Sequence, residues 1–285
     1  MKRTQKKPEW LNKRLNYRSM REMGLMLRSL NLNSVCEGAK CPNMGECFAN
    51  KTATFMILGD VCSRNCRFCA VSSGKMSPPD PAEPENILIA SRKLGLKHIV
   101  ITSVTRDDLP DGGAYQFAEC IYKIKKNMPE VSIEVLIPDM KGDQHSLNLI
   151  LKAKPDILNH NLETVPGLYN EVRPMADYHL SLAVLEYFKT QDPSIYTKSG
   201  IMVGLGEKKE EIIKLFDDLR QIDCDMLTIG QYLPPSHAHA ELKEYVRPDV
   251  FDEYKSIALN KGFKYVASAP YVRSSYNAAE GMRIC

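Results

Sequence analysis

Hydrophobic and polar positions change period at about residue 52. Before it, Met20, Met23, Leu27 and Leu30 recur at helical spacing, which predicts an amphipathic helix over 17–30 with the methionines turned to the core. From residue 52 onward, short apolar, β-branched runs alternate with amphipathic stretches. Strands are predicted at 52–58, 98–102, 132–136, 156–159, 199–203 and 226–230. Helices are predicted at 83–94, 115–126, 144–152, 178–190, 208–221 and 248–260. Six such repeats make a parallel sheet with right-handed crossovers. A last strand-like run, 265–267, precedes a polar stretch, Arg273-Ser274-Ser275-Tyr276.

The repeats fit either a doubly wound sheet or an incomplete six-stranded barrel. No G-x-G-x-x-G follows the first strand, which argues against a dinucleotide fold. In both architectures the reactive groups belong at the carboxyl ends of the strands. Polar segments fall there: residues 102–108 after the second strand, 159–164 after the fourth, and 200–207 over the fifth. Taken singly, Asp107, Asp108, His160, Gly204 and Gly206 have bland readings as loop charges, a structural histidine and turn glycines. Their joint position on one face makes them candidates.

Composition narrows the class. Of 285 residues 44% are hydrophobic and 26% charged, which fits a globular chain with a full core. No apolar run approaches the roughly 20 residues of a membrane span, and no secretory stretch opens the chain, so a cytoplasmic location is expected. The net charge of +3 hides an asymmetry: residues 1–30 carry nine Lys or Arg against Glu9 and Glu22. A basic arm of this kind is either a solvated terminus or a dock for an acidic macromolecule. Trp10 and Tyr17 are its only aromatics, too few for a base-stacking platform, so no nucleic-acid partner is expected.

Six of the nine cysteines lie within residues 36–69, a clustering that implies metal and a reducing compartment rather than a disulfide scaffold. Cys62, Cys66 and Cys69 form a C-x3-C-x2-C loop directly after the first strand. Three thiolates on one short loop hold three irons of a cubane 4Fe–4S cluster and leave the fourth iron open for chemistry. The rival is structural zinc, which asks for four ligands in two knuckles. Cys36, Cys41 and Cys47, spaced C-x4-C-x5-C in a loop with turns at Gly38, Pro42 and Gly45, call for a second centre. Its fourth ligand has several candidates: Cys120, Cys224, Cys285, a histidine or an oxygen. Chemistry alone favours Cys285, because thiolate is the usual ligand.

Phe68 before the last cysteine completes the C-x3-C-x-aromatic-C pattern, which resembles radical S-adenosylmethionine (SAM) enzymes. Both cysteine spacings, residues 159–164 (Asn-His-Asn-Leu-Glu-Thr), 197–200 (Thr-Lys-Ser-Gly), 230–233 (Gly-Gln-Tyr-Leu) and the R-S-S-Y at 273–276 resemble the lipoyl synthase family through most of the chain. The resemblance implies a partial (βα)6, TIM-like barrel over 51–262. Extensions at 1–50 and 263–285 would together cradle an auxiliary 4Fe–4S cluster. It also implies that Ser275, not Cys285, is that cluster's fourth ligand and is released when sulfide is given up. A hard alkoxide suits that role, since it holds iron less firmly than thiolate.

The activity so implied is insertion of two sulfur atoms at C6 and C8 of an octanoyl chain on a lysine of a carrier protein. One SAM is used for each C–H bond, two per lipoyl group, and the auxiliary cluster is the sulfur donor. By the same resemblance, Ser103, Thr105 or Arg106 would meet the methionyl end of SAM, Asn161 or Glu163 its ribose, and Gly204 its adenine. The partners implied are an octanoylated lipoyl carrier, an electron donor such as ferredoxin or flavodoxin, and an iron–sulfur carrier for repair. Another radical SAM sulfur-inserting or maturation enzyme with an auxiliary cluster is the alternative reading. No membrane partner is expected.

Overall fold

The computed structural model describes residues 6–13, 16–50, 52–276 and 278–284. It opens with α1 (Tyr17–Ser29), capped by the Asn16 side chain, which accepts from the Ser19 amide. The helix buries Met23 and Leu27, while Met20 and Leu30 are half-buried beside them. A two-residue strand, β1 (Asn33–Ser34), leads into two short helices, α2 (Val35–Gly38) and α3 (Met44–Ala49). The cysteine segment expected as a loop is thus helical at both ends. Ser34 starts the first turn by accepting the Cys36 amide at 3.1 Å.

The repeating region follows as β2 (Thr54–Ile57), β3 (Val61–Cys62), β4 (Ser72–Ser73), α4 (Glu83–Leu94), β5 (His98–Ser103), α5 (Ala114–Asn127) and β6 (Ser132–Leu136). It continues with α6 (Gln144–Ala153), β7 (Ile157–Asn159), α7 (Tyr169–Val172), α8 (Tyr178–Gln191), β8 (Tyr196–Val203), α9 (Lys209–Gln221), β9 (Met226–Gln231) and α10 (Pro248–Asn260). The chain closes with β10 (Tyr265–Ser268) and α11 (Ala278–Ile284). All six predicted strands and six predicted helices are present. β8 begins three residues earlier than expected, because Tyr196, Thr197 and Lys198 pair with all of β7.

The main sheet runs β1-β2-β5-β6-β7-β8-β9-β10, parallel throughout except for β1. β1 and β10 end the sheet on either side, so it is an open, partial barrel with two edges rather than a closed ring. Apolar side chains from the strands and the surrounding helices form one continuous core, into which Met23, Leu27, Cys36 and Phe48 of the N-terminal segment also pack. β10 adds a seventh parallel strand beyond the six repeats, beside β9. No described helix is long and apolar enough to cross a membrane.

A buried ion pair crosses the strands. Lys198 Nζ on β8 reaches both Glu134 oxygens on β6, at 2.9 and 3.0 Å, and Asn159 Nδ2 on β7 donates to the same carboxylate at 2.8 Å. Burial would raise the Glu134 pKa, but Lys198 and His98 bring it down to about 2. The pair therefore contributes stability above the ordinary carboxylate range and loses it as pH falls towards 2. Lys198→Met removes the cation facing buried Glu134 and leaves it only Asn159 and His98 as partners, and should cost about 3–5 kcal/mol in urea unfolding at pH 7. The gap from wild type should narrow steadily below about pH 4. A cost under about 1 kcal/mol would show that the pair is not a stabilising crosslink.

Candidate functional site

The cluster loop is set by what holds its two ends. At the exit of β2 the chain reverses through Leu58, with φ +69°, and Gly59, with φ +94°. The Leu58 amide donates to both oxygens of buried Glu83, at 3.2 and 3.0 Å, and its carbonyl accepts from Arg106 at 3.2 Å. Beyond the turn, the pairing of β3 with β4 stitches Val61 and Cys62 to Ser72 and Ser73, closing the segment that carries Cys66 and Cys69.

Inside this closed loop, Arg64 forms a double clamp. Its guanidinium bonds Asp107 at 2.7 and 2.9 Å and Asp139 at 2.5 and 2.7 Å, with only 8% of its side chain exposed. These two carboxylates stand at the exits of β5 and β6, so one side chain ties the loop to two strand ends. The Arg64 hydrogen bonds hold Asp107 below the usual carboxylate range. Burial would raise Asp139, but the Arg64 hydrogen bond and charge overcome it and bring the group down. At the far end of the loop, the Arg67 amide donates to the Val172 carbonyl at 2.9 Å and its carbonyl accepts the Ala240 amide at 2.7 Å. His239 Nε2 lies 3.0 Å from the Cys69 carbonyl. Phe68 packs on the apolar cluster of Val172, Leu205, Tyr232 and Ala240.

Within the loop, the Cys62 sulfur accepts from the amides of Arg64 at 3.4 Å and Thr105 at 3.3 Å. Thr105 therefore serves the loop through its backbone. Burial pushes the Cys69 thiol up to about 12, and it also raises Cys66, which Arg173 partly offsets. In the second triad, burial pushes Cys47 up to about 12 and raises Cys36, and both feel the charge of Cys41. Such thiols are neutral until metal displaces their protons. Among the described residues no three His, Cys, Asp or Glu side chains converge as a site for one metal ion. Two separate triads suit cubane clusters, which take one cysteine per iron.

Ser275 stands at the second triad. Thr54 Oγ1 donates to Ser275 Oγ at 2.8 Å, and the Thr54 backbone lies close enough to Cys36 to offset part of the burial that raises its thiol, so one residue neighbours both. The Asn43 amide nitrogen donates to the Tyr271 carbonyl at 2.6 Å, and Tyr276 donates to Glu46 at 3.0 Å. Lys13 closes this region: it reaches Asn43 at 2.5 Å and Glu46 at 2.6 Å and lies over the rings of Tyr271 and Tyr276. The Tyr271 hydroxyl donates to the Leu11 carbonyl. Cys120 and Cys224, two of the candidate fourth ligands, are fully buried among apolar core side chains, and Cys285 lies outside the described residues.

The barrel mouth between the triads is polar and buried. Asn161 Nδ2 donates to Ser274 Oγ at 2.6 Å and to Glu163 at 3.0 Å. Arg173 donates to the carbonyls of Asn161 and Leu162 at 2.9 and 3.1 Å and to the Tyr169 hydroxyl at 3.2 Å. Ser103 Oγ, His160 Nε2, Asn161 Oδ1 and Arg173 Nε are buried without a hydrogen-bond partner. Unmet polar atoms of this kind are free to meet a polar ligand.

Residues 56–219 match the Radical SAM superfamily. Lipoyl synthases of Caldanaerobacter subterraneus subsp. tengcongensis and Alkaliphilus metalliredigens are each 56% identical, over 99% and 97% of this chain and 99% and 96% of theirs. The lipoyl synthase of Aquifex aeolicus is 50% identical over 94% of this chain and 97% of its own. This chain belongs to the lipoyl synthase family. Its fold resembles that of SuiB from Streptococcus suis, with a TM-score of 0.59 at 16% identity over 88% of this chain and 60% of that one. It also resembles methylornithine synthase, with a TM-score of 0.55 at 15% identity over 78% of this chain and 72% of that one. Lipoyl synthases are sulfur-inserting radical SAM enzymes that use SAM, a 4Fe–4S cluster and an auxiliary cluster.

Two of the residues expected at SAM have other occupations here. Arg106 is 2% exposed and pairs with Asp108 at 2.8 Å while holding the Leu58 carbonyl, so its charge is already spent on the β2 turn. At Gly204 a Cβ would meet Gln231 Nε2 and the Glu244 carbonyl oxygen, each at 2.4 Å. Packing of the segment after β9 therefore requires glycine at this position. Three residues that sequence reasoning missed are Arg64, Asp139 and Arg173. Arg64 carries a signal, a cation inside the cysteine motif, whereas Arg173 carries none.

Arg64→Met strands two carboxylates at the loop. It should cost about 3 kcal/mol at pH 7, the low end of the buried-pair range because Asp107 is partly exposed. Both carboxylates are depressed in the fold, so the clamp acts above about pH 4 and fades below it. Chemical unfolding across pH should show the wild-type advantage shrinking on acidification, and an advantage that grows instead would refute the clamp.

Proposed function

We propose that this chain forms the lipoyl group on an octanoylated lysine of a carrier protein. The observation that carries the reading is the position of Thr54, which sets Ser275 beside Cys36 although the two lie on segments far apart in sequence. Cys62, Cys66 and Cys69 would hold the cluster that binds SAM, and Cys36, Cys41, Cys47 and Ser275 the auxiliary one. With SAM, the first cluster supplies one-electron chemistry able to break C–H bonds that no general base can ionise.

The protein's own residues position and shield this chemistry. The Arg64 clamp and the Arg67, Ala240 and His239 contacts hold the cysteine loop still. Amides of Arg64 and Thr105 aim at the Cys62 sulfur and spread its negative charge. Arg173, buried near Cys66 with Nε unpartnered, suits the carboxylate of SAM better than Arg106 does. Ser103 adds a hydroxyl on the same side, and Asn161 with Glu163 remains the pair for the ribose. Arg273 sits half-buried within electrostatic reach of Cys41, a cation set against the thiolate-rich auxiliary site.

The N-terminal segment, 1–50, and the C-terminal segment, 263–285, act as the auxiliary-site extensions of a barrel over 51–262, each lending one edge strand, β1 or β10, to its sheet. Of the basic arm, Lys13 is spent on the Tyr271 and Tyr276 clasp, whereas Lys6 and Lys7 are exposed. The exposed cations would steer an acidic carrier domain in a salt-dependent way. Ferredoxin or flavodoxin would supply electrons and an iron–sulfur carrier the repair. A cytoplasmic setting fits this chemistry.

The test is anaerobic reconstitution followed by turnover of an octanoyl-lysyl carrier peptide with SAM. Wild type should give the dithiolated product, and free dethiobiotin should go unconverted. Ser275→Ala should cut SAM and abstract hydrogen while losing sulfur transfer by at least about tenfold, roughly 1.4 kcal/mol of barrier. Unchanged lipoyl product in that variant would reject the Ser275 role.

A further inference from the structure

Two adjacent serines face two different sites. Ser275 Oγ receives the Thr54 hydroxyl at 2.8 Å, on the side of Cys36. One peptide unit earlier, Ser274 Oγ receives Asn161 Nδ2 at 2.6 Å at the barrel mouth. Asn161 has no second choice of donor, because its other N–H goes to Glu163 at 3.0 Å. The meeting place is built by a missing side chain. A Cβ on Gly200 would stand 2.8 Å from Asn161 Oδ1, 3.1 Å from Ser274 Oγ and 2.5 Å from Thr228 Oγ1. Glycine on β8 therefore makes room for the Asn161–Ser274 contact, and the C-terminal segment is threaded into it.

We propose that Ser274 is a positioning residue that couples the auxiliary site to the SAM site. The inference rests on the assignment of Ser275 to the auxiliary site made above. Consecutive Cα atoms are fixed about 3.8 Å apart, so Ser275 cannot leave its place without moving Ser274. With Ser275 seated beside Cys36, the Ser274 hydroxyl lies at Asn161 and holds that amide with its Oδ1 free for a ligand. With Ser275 released, the Asn161 amide loses one of its two fixed partners and its orientation is no longer enforced.

The consequence is reciprocal, since a site that is better ordered by a second site must also order it. SAM binds more tightly while the auxiliary site is intact, and SAM in turn favours the seated position of Ser275. An enzyme that uses two SAM molecules per product thereby reads, through one hydrogen bond, whether its sulfur source is whole.

The experiment compares SAM affinity, by anaerobic equilibrium dialysis, in two forms of the full chain. One form is reconstituted at both sites, and the other carries Cys36→Ala, Cys41→Ala and Cys47→Ala and so only the Cys62, Cys66 and Cys69 site. Wild type should bind SAM about fivefold more tightly in the first form, the size of one such hydrogen bond. Ser274→Ala should bind equally in both forms, at the weaker value, and Ser274→Thr should restore the difference. In metal-free protein, hydrogen exchange of residues 272–276 should be faster in Ser274→Ala, a readout independent of cluster loading.

Equal SAM affinity in the two wild-type forms, or a fivefold difference that survives Ser274→Ala, overturns the coupling. Unchanged iron content and auxiliary spectrum in Ser275→Ala overturns instead the reading beneath it. The two failures therefore cannot be mistaken for one another.

Discussion

A single guanidinium buried between two carboxylates is the constraint on which the reactive end of this protein depends. The loop from Cys62 to Cys69 has almost no regular hydrogen bonding of its own, and irregular backbone at a strand end is free to move unless side chains fix it. Arg64 supplies that fixation by reaching the exits of β5 and β6 at once. The planar fork of arginine makes this feasible, because one side chain presents two pairs of donors to two carboxylates. Asp107 and Asp139 are then committed to the loop, and the unmet polar atoms left beside them belong to Ser103, His160, Asn161 and Arg173.

The auxiliary site is assembled by a different route. Cys36 and Cys47 lie on two short helices near the start of the chain and Cys41 in the turn between them, while Ser275, proposed above as the fourth ligand, comes from a segment near the end. Neither part has regular secondary structure long enough to hold itself. They are joined through Thr54 on β2, and closed from outside by Lys13, Asn43 and Glu46 against Tyr271 and Tyr276. A site that gives up sulfur, as proposed above, benefits from this construction. Its walls are polar contacts between chain segments, which open at lower cost than a packed core.

Much of the fold was legible because strands and helices of a parallel barrel carry strong, different periods. The helices 83–94 and 248–260 end where the pattern ends, the first at Gly95 with φ +65°. The short helices around Cys36 and Cys47 were not legible. Four to six residues show no period, and Gly38, Pro42 and Gly45 look like turns. The start of β8 was missed because Tyr196 to Lys198 contains a lysine, which reads as a strand edge until its partner, Glu134, is seen across the sheet.

The cysteine spacings by themselves determined that two metal centres exist, since ligand spacing on a loop is a local property and local properties survive in one dimension. They also determined that chemistry sits at the exit of the first strand. Only the tertiary structure decided which polar residues serve that chemistry and which serve the scaffold. Arg106 and Arg173 are alike in sequence, yet one is spent on Asp108 and the Leu58 carbonyl while the other keeps a nitrogen unmet in the barrel mouth. The two serines of the C-terminal motif are likewise neighbours in the chain, yet Ser274 meets Asn161 and Ser275 meets Thr54. Whether a buried charge or hydroxyl is free depends on partners brought from distant segments, and no pattern along the chain records them.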